Sequence, residues 1–296
     1  MDTLKKTSLL VLICIILLAI AGCAQEQETV VIASKPMTEQ YILGEMLTQL
    51  IEADTDLEVE QKMGIGGGTS NIHPGMVNGE IDIYPEYTGT GWLFVLKEDL
   101  INDPQALYEA VKARYQEDFD IIWSELYGFN DTFGIAVKQE LADELDLATY
   151  SDLAQASPEL RFGAEYDFYE REDGYPGLVD VYGFSFPDRV ELDIGLKYEA
   201  IGSDQVDAIN IFSTDGRLKE YGLKVLEDDK NFFPSYYAAT LIRQETLEAH
   251  PELEDVLAKM DGLISNEEMT QMNYLVEIEN QDPKQVAADF LASKGL

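Results

Sequence analysis

Thr29-Val-Val-Ile-Ala-Ser34 begins a stretch in which short apolar runs alternate with amphipathic ones. The run is rich in β-branched side chains and is typical of a buried strand. Residues 38–52 follow with apolar side chains at the spacing of one helix face, and Thr38 is the candidate N-cap. Residues 57–63 then alternate as a second strand. This order predicts an α/β fold with a parallel sheet and helices on both faces.

The alternation continues after a glycine-rich turn, Gly64-Ile-Gly-Gly-Gly68. The spacing predicts a helix over residues 69–78 and a strand over residues 81–84. The turn is no phosphate-binding GK[ST] loop, because no lysine precedes Thr69. A plain turn is one interpretation. The other is a turn whose backbone N–H groups hold an anion at the start of the helix.

A second block of alternating strands and helices follows the first. It does not repeat the sequence of the first block, and no long linker separates the two blocks. Strands are predicted over residues 133–138, 160–164 and 206–212, and helices over residues 243–259 and 266–294. No Pro/Gly-rich boundary separates the two blocks. A chain of this length can form one large domain or two linked lobes. The absence of a linker is compatible with two α/β lobes between which the chain crosses by short strands.

The N-terminal segment has the features of a secretory signal. Two lysines precede an apolar run over residues 9–21, and Ala21-Gly22 stands before Cys23. This ending resembles a bacterial lipobox, which implies cleavage after residues 1–22 and lipid attachment to Cys23. Residues 23–28 would then be a tether that holds the protein on the extracytoplasmic face of the cell membrane. A transmembrane helix is the alternative, but spanning takes about 20 apolar residues.

The charge balance is strongly acidic, with 57 acids against 20 bases and a formal net charge of −37. Such a surface repels nucleic acid, so we expect no nucleic-acid partner. Adaptation to high salt or alkaline surroundings is one explanation, and attraction of cationic ligands is the other. The acids are scattered along the chain, which favours the first.

Motifs for catalysis and for metal binding are scarce. The two cysteines, Cys14 and Cys23, both belong to the N-terminal segment, so the folded body has no disulfide and no thiolate site. His73 and His250 are each followed by proline, and neither lies in an HExxH pattern. We expect no enzyme, no cofactor and no metal. An extracellular hydrolase and a ligand-free surface lipoprotein are the alternatives from other classes.

Aromatic residues are more informative, with 16 Tyr, 12 Phe and two Trp. Many fall at predicted strand ends, where core packing is the ordinary interpretation. A cluster of them at the rims of two lobes would instead suit a cationic ligand, since ring faces attract a desolvated cation. An acid–base pair in the cleft would favour the hydrolase, and an aromatic box would favour a binding protein.

Five separate stretches, in chain order, resemble the osmoprotectant-binding proteins of ABC importers, which bind glycine betaine, choline or carnitine. They are Ser34-Lys-Pro-Met-Thr-Glu-Gln-Tyr-Ile-Leu-Gly-Glu45, Gly79-Glu-Ile-Asp-Ile-Tyr-Pro-Glu-Tyr-Thr-Gly-Thr90, Arg171-Glu-Asp-Gly-Tyr-Pro-Gly-Leu178, Val206-Asp-Ala-Ile-Asn-Ile-Phe-Ser-Thr-Asp-Gly216 and Asp228-Asp-Lys-Asn-Phe-Phe-Pro-Ser-Tyr236. The second stretch is the most specific of the five.

The resemblance implies a two-lobed periplasmic-binding-protein fold with the ligand in the cleft between the lobes. Lobe 1 would comprise residues 29–131 and 238–296, and lobe 2 residues 132–237. The protein would capture a small quaternary ammonium compound and deliver it to an ABC permease in the membrane. Glycine betaine is the first choice of ligand, and choline, carnitine and ergothioneine are the alternatives.

The resemblance also implies a ligand site in which four aromatic side chains box a trimethylammonium group and three polar side chains hold its carboxylate. The aromatic residues are Tyr87, Phe133, Phe212 and Tyr236, and the polar residues are Lys35, Thr90 and Arg171. Phe133 and Phe212 stand where similar proteins usually carry Tyr. Aromatic faces suit this ligand because a quaternary ammonium has no N–H to donate.

Arg171 has a second interpretation. Its guanidinium fork can hold a ligand carboxylate with paired donors. It can also form an ion pair with the neighbouring Glu172 or Asp173, which at an exposed site contributes at most about 1 kcal/mol.

Overall fold

The computed structural model describes residues 28–218 and 220–296. The predicted signal peptide, Cys23 and residues 24–27 of the predicted tether lie outside the described residues. Within the described ranges, no helix is both long enough and apolar enough to cross a membrane.

Ten strands of the described residues form two five-stranded sheets. In chain order they are β1 (Thr29–Ala33), β2 (Glu58–Lys62), β3 (Ile83–Tyr87), β4 (Ile121–Asn130), β5 (Phe133–Lys138), β6 (Arg161–Ala164), β7 (Asp188–Glu191), β8 (Ala208–Phe212), β9 (Leu223–Val225) and β10 (Tyr237–Arg243). The first sheet has the order β2-β1-β3-β10-β4, and the second has the order β7-β6-β8-β5-β9. The predicted two-lobed α/β fold is confirmed.

Within residues 28–218 and 220–296, twelve α-helices surround the sheets. They are α1 (Thr38–Asp54), α2 (Thr69–Val77), α3 (Pro104–Phe119), α4 (Gln139–Leu145), α5 (Tyr150–Ala156), α6 (Tyr166–Glu170), α7 (Tyr175–Tyr182), α8 (Lys197–Gly202), α9 (Gln244–Ala249), α10 (Glu252–Leu257), α11 (Asn266–Glu277) and α12 (Pro283–Lys294). A π-helix covers Thr90–Val95, and 3-10 turns cover Ser157–Glu159 and Ala258–Met260.

The first sheet is mixed, so the prediction of a parallel sheet is wrong in part. β1 pairs in parallel with β2 and β3. β10 inserts between β3 and β4 and is antiparallel to both. Local patterns cannot show this, because β10 arrives from the other lobe. Helices cover both faces, as predicted: α1, α11 and α12 pack on one face and α2 and α3 on the other.

Several predicted boundaries shift for local reasons. Met37, not Thr38, occupies the N-cap position of α1, and its side chain makes no capping bond. The strand predicted over residues 81–84 runs instead over Ile83–Tyr87. The two long C-terminal helices are each divided, because Pro251 and Pro283 have no N–H to continue a helix.

The chain passes between the lobes at two adjacent segments. Asp131 and Thr132 join β4 to β5, and residues 234–236 lead back into β10. The segments are bonded to each other, since the Asp131 N–H donates to the Tyr236 carbonyl at 3.0 Å. The Tyr236 N–H in turn donates to Asn130 Oδ1 at 2.6 Å. We propose this pair of crossings as the hinge, close to the predicted lobe boundaries.

Candidate ligand-binding site

A cavity of about 680 Å³ lies between the lobes. Residues of β3, the π-helix and the first crossing line it from lobe 1, and residues of β5, α6 and β8 line it from lobe 2. All seven residues predicted for ligand contact line this one cavity: Lys35, Tyr87, Thr90, Phe133, Arg171, Phe212 and Tyr236. The structure therefore brings together side chains that are up to two hundred positions apart (236 − 35 = 201).

The aromatic side chains are positioned by strand ends. Tyr87 is the last residue of β3, and Tyr236 directly precedes β10. Phe133 begins β5 and lies opposite Phe212, the last residue of β8, in the antiparallel register. The Phe133 ring centroid is 5.2 Å from that of Phe212 and 5.2 Å from that of Tyr236. Two rings of lobe 2 and the Tyr236 ring of the second crossing thus form a continuous aromatic wall.

The hydroxyls of the two tyrosines in the cavity, Tyr87 and Tyr236, are bound to buried carboxylates. The Tyr236 hydroxyl donates to Asp173 Oδ2 at 2.7 Å. The Tyr87 hydroxyl donates to Glu39 Oε1 at 2.5 Å and accepts from Gln40 Nε2 at 3.1 Å. Burial raises the pKa of both phenols well above the ordinary value of 10.0. Both rings therefore stay neutral, and their orientations are fixed by the hydrogen bonds.

Lys35 is held below the Tyr87 ring. Its Nζ lies 4.7 Å from the ring centroid and forms an ion pair with Glu86. Glu86 is fully buried and also accepts from the hydroxyls of Thr69 at 2.7 Å and Tyr84 at 2.8 Å. Burial lowers the pKa of the Lys35 ammonium, against the opposing effect of Glu86. Lys35 thus lines the cavity as a cation that already has a carboxylate partner.

Arg171 forms the predicted ion pair with Asp173, and its role toward a ligand carboxylate stays a prediction. Its Nε donates to Asp173 Oδ1 at 2.8 Å, and its Nη2 bonds to Asp173 Oδ2 and lies 3.5 Å from Thr90 Oγ1. The guanidinium carbon is 5.0 Å from the Phe94 centroid and 5.2 Å from the Phe133 centroid. The ion pair with Asp173 is buried rather than exposed. In the part of the chain that the structure describes, Nη1 pairs with no protein acceptor, which leaves one edge of the fork for a ligand.

Lys197 is a site residue that the sequence did not indicate. Its Nζ lies 4.5 Å from the Phe212 centroid, and the side chain is fully buried. The ammonium donates to Glu165 Oε1 at 2.6 Å, and Glu165 also accepts from Asn210. Lys197 therefore backs the Phe212 ring in the way that Lys35 backs Tyr87.

The cavity lining is more acidic than predicted. Its two cationic residues, Lys35 and Arg171, are paired with carboxylates, while five acidic residues also line it. They are Asp131, Glu165, Asp167, Glu191 and Asp193. A lining with this charge attracts a ligand that carries positive charge. Asp131 ended a polar segment in the sequence, but nothing local indicated that residues 191–193 reach the cavity.

The glycine-rich turn also reaches the cavity wall. Gly67 and Gly68 line it with positive φ values of 76° and 51°, a backbone conformation that glycine adopts without strain. Gly68 directly precedes α2. The interpretation of this turn as an anion-holding segment stays a prediction.

Comparisons with known proteins agree with this geometry. The model of the OpuAC family, described as the substrate binding domain of ABC-type glycine betaine transport systems, matches residues 28–293. An ergothioneine transport permease/ergothioneine binding protein of Helicobacter pylori is 44% identical over 92% of this chain. The chain spans about half of that relative, 49% of its length.

Two further relatives match over most of both chains. The carnitine transport binding protein OpuCC of Listeria monocytogenes is 39% identical over 90% of this chain and 86% of its own length. A crystal structure described as a glycine betaine/carnitine/choline ABC transporter is 35% identical, with a TM-score of 0.72. The match covers 90% of this chain and 98% of that structure.

Proposed function

Because this chain belongs to the family of substrate-binding domains of ABC-type glycine betaine transport systems, we propose that it captures a small quaternary ammonium compound for an ABC permease in the membrane. Glycine betaine is the first choice of ligand. The aromatic wall of Phe133, Phe212 and Tyr236, with Tyr87 in the same cavity, carries this proposal. A desolvated cation against such rings gains about 2 kcal/mol or more per good contact.

The ligand is proposed to lie with its trimethylammonium group against the aromatic rings. Its carboxylate then faces Lys35, Thr90 and the Nη1 edge of Arg171. Since these groups come from both lobes, a bound ligand stabilises the closed arrangement of the lobes. The similar proteins are transport binding proteins, which favours binding over the hydrolase alternative.

Ergothioneine is a second candidate ligand, and the cavity volume favours it. About 680 Å³ is more room than glycine betaine, a ligand of eight non-hydrogen atoms, can fill. Ergothioneine carries the same trimethylammonium and carboxylate groups, together with a ring whose N–H groups can donate to carboxylates such as Asp167 or Glu165. The Helicobacter pylori relative is named for this compound.

We also propose that Cys23 carries a lipid and holds the protein on the extracytoplasmic face of the membrane. The lipobox-like ending at Cys23 supports this proposal. Cys23→Ala should release the protein from the membrane fraction. Retention of the variant in that fraction would contradict the anchor.

A thermal-shift and calorimetric panel on the mature protein tests the ligand class. The panel contains glycine betaine, carnitine, choline and ergothioneine, with dimethylglycine and histidine as matched controls that lack the quaternary nitrogen. We expect at least one quaternary compound to raise the melting temperature and to bind far more tightly than its control. Binding of the controls alone would contradict the proposal.

A further inference from the structure

Three buried side chains from different elements meet beside the cavity. Glu39 lies in the first turn of α1, Asp131 lies at the first crossing, and Thr214 follows β8 in lobe 2. Thr214 Oγ1 is 2.6 Å from Glu39 Oε2 and 2.8 Å from Asp131 Oδ1. The contact between Thr214 and Glu39 joins the two lobes, so it exists only while they are together.

The number of hydrogens in this contact restricts its protonation. A threonine hydroxyl has a single hydrogen and can donate to only one of the two carboxyl groups. The other short contact then needs a carboxyl hydrogen that donates to the Thr214 oxygen. If both acids were ionised, the Thr214 hydroxyl could donate to only one of them, and its oxygen would face the other carboxylate oxygen at short range with no hydrogen between them.

We propose that the closed protein holds one proton shared between Glu39 and Asp131, and that Glu39 is a positioning residue which couples the ligand site to lobe closure. Glu39 performs this coupling through Tyr87 on one oxygen and Thr214 on the other. Opening removes Thr214 and hydrates both acids, which releases the proton. Ligand binding with closure therefore takes up a proton. This inference rests on the proposed function, because it concerns the same site.

Neighbouring groups support the assignment. Asn273 Nδ2 lies 3.3 Å from Glu39 Oε2 and 2.9 Å from the Thr214 carbonyl, while Asn273 Oδ1 is buried with no protein partner in residues 28–218 and 220–296. The amide orientation is fixed by the Thr214 carbonyl, which accepts from Nδ2 and would repel Oδ1 in its place. Burial raises the pKa of Glu39 and of Asp131, and the mutual repulsion of the two acids raises that of Asp131 further.

Other charged groups lie near Glu39 and Asp131, and their titration has to be distinguished from that of these two acids. Asp215 adds negative charge and accepts from the Phe212 N–H at 2.9 Å. Lys35 and Lys197 are paired with carboxylates of their own. Glu277 on α11 lies 3.8 Å from Arg217, and burial raises the pKa of Glu277 to about 7. Glu277 is therefore the group whose titration would most easily be mistaken for that of Glu39.

Proton uptake on binding tests the proposal directly. Glycine betaine and choline serve as probes, since neither titrates near neutral pH. Calorimetry in buffers of different ionisation enthalpy should show uptake approaching one proton for the wild type with glycine betaine. The Kd should rise by up to about tenfold per pH unit between the ordinary pKa of a hydrated carboxyl group and the raised pKa of the closed form, because the closed form binds the additional proton. Uptake should be smaller with choline, whose uncompensated positive charge opposes protonation.

Glu39→Gln provides the decisive variant. The Gln amide donates to Thr214, and the Thr214 hydroxyl then donates to Asp131, so the contact is satisfied without a proton. We expect uptake near zero and a Kd that changes less than about threefold across the same pH range. Glu277→Gln is the matched control and should keep the wild-type uptake. A merely structural role of Glu39 would weaken binding equally at every pH.

Several outcomes overturn the proposal. They are absence of uptake in the wild type, unchanged uptake in Glu39→Gln, and loss of uptake in Glu277→Gln alone. If Glu39→Gln does not fold, Asp131→Asn is measured in its place. If no probe binds, the proposed function fails separately. Infrared spectroscopy of the closed form, trapped by a disulfide engineered between the two lobes, then decides, since a missing C=O band of a protonated carboxyl group, or a band that persists in the Glu39→Gln variant, contradicts the shared proton.

Discussion

Replacing Arg171 by lysine separates its two roles. The Arg171–Asp173 pair is buried, with side-chain exposures of 8% and 5%. Removing the cation altogether, as in Arg171→Met, leaves Asp173 with the Tyr236 hydroxyl as its remaining side-chain donor and costs about 3–5 kcal/mol. That loss would affect every ligand. Lysine keeps a charge for Asp173 but lacks the Nη1 edge that we assign to the ligand carboxylate.

The expected loss for Arg171→Lys is therefore selective. A charge-assisted hydrogen bond contributes about 1.5–3 kcal/mol, which corresponds to a roughly 10- to 150-fold higher Kd for glycine betaine. Choline has no carboxylate and should lose less than about threefold. Isothermal titration calorimetry with both ligands measures the two losses, and thermal unfolding checks that the variant is folded. Equal losses for the two ligands would refute the carboxylate role of Arg171.

Three further predictions concern the aromatic residues and pH. Tyr87→Ala and Tyr236→Ala should each weaken betaine binding by about 1–3 kcal/mol in calorimetry, and unchanged affinity in both would remove them from the cage. Phe133→Tyr and Phe212→Tyr should be tolerated and tighten betaine binding by up to about 1 kcal/mol; loss of all trimethylammonium binding would instead indicate a ligand bulkier than glycine betaine. Burial raises the pKa of Glu277 from 4.5 to about 7, so folding favours the protonated form of this side chain. The contribution of protonated Glu277 to the free energy of unfolding is therefore lost as pH rises toward 7. Glu277→Gln should therefore raise the melting temperature at pH 8 by an amount equivalent to at most about 3 kcal/mol, and by much less at pH 5; equal gains at both pH values would argue against this titration.

The apolar runs of the sequence predicted local elements better than their arrangement. The strand over residues 133–138 appears with the predicted bounds, because its alternation and its flanking residues are local signals. The antiparallel insertion of β10 depends on where the chain returns from lobe 2, which no local pattern encodes. The prediction of two long C-terminal helices was wrong, although the sequence itself shows Pro251 and Pro283, which cannot continue a helix.

The residues of the site were likewise predicted better than the contacts between them. The resemblance to known binding proteins placed all seven predicted residues on one cavity. Their partners were harder to find: Glu86 and Asp173 lie inside the quoted motifs, but which charge each one neutralises depends on three-dimensional contacts. Lys197 lay outside every quoted motif, and Glu39 lay inside the first motif without an assigned role; only the fold brings them to Phe212 and Tyr87.

A comparison of each cation with its neutral isostere tests the central claim most directly. Choline is measured against 3,3-dimethylbutan-1-ol, and glycine betaine against 3,3-dimethylbutanoate, by calorimetry on the same protein. Each pair has nearly the same shape and differs in the positive charge that the aromatic rings are proposed to recognise. If the cage contributes about 2 kcal/mol through cation–π contacts, the cation of at least one pair binds about 30-fold or more tightly than its isostere. Equal binding of cation and isostere in both pairs would contradict the account.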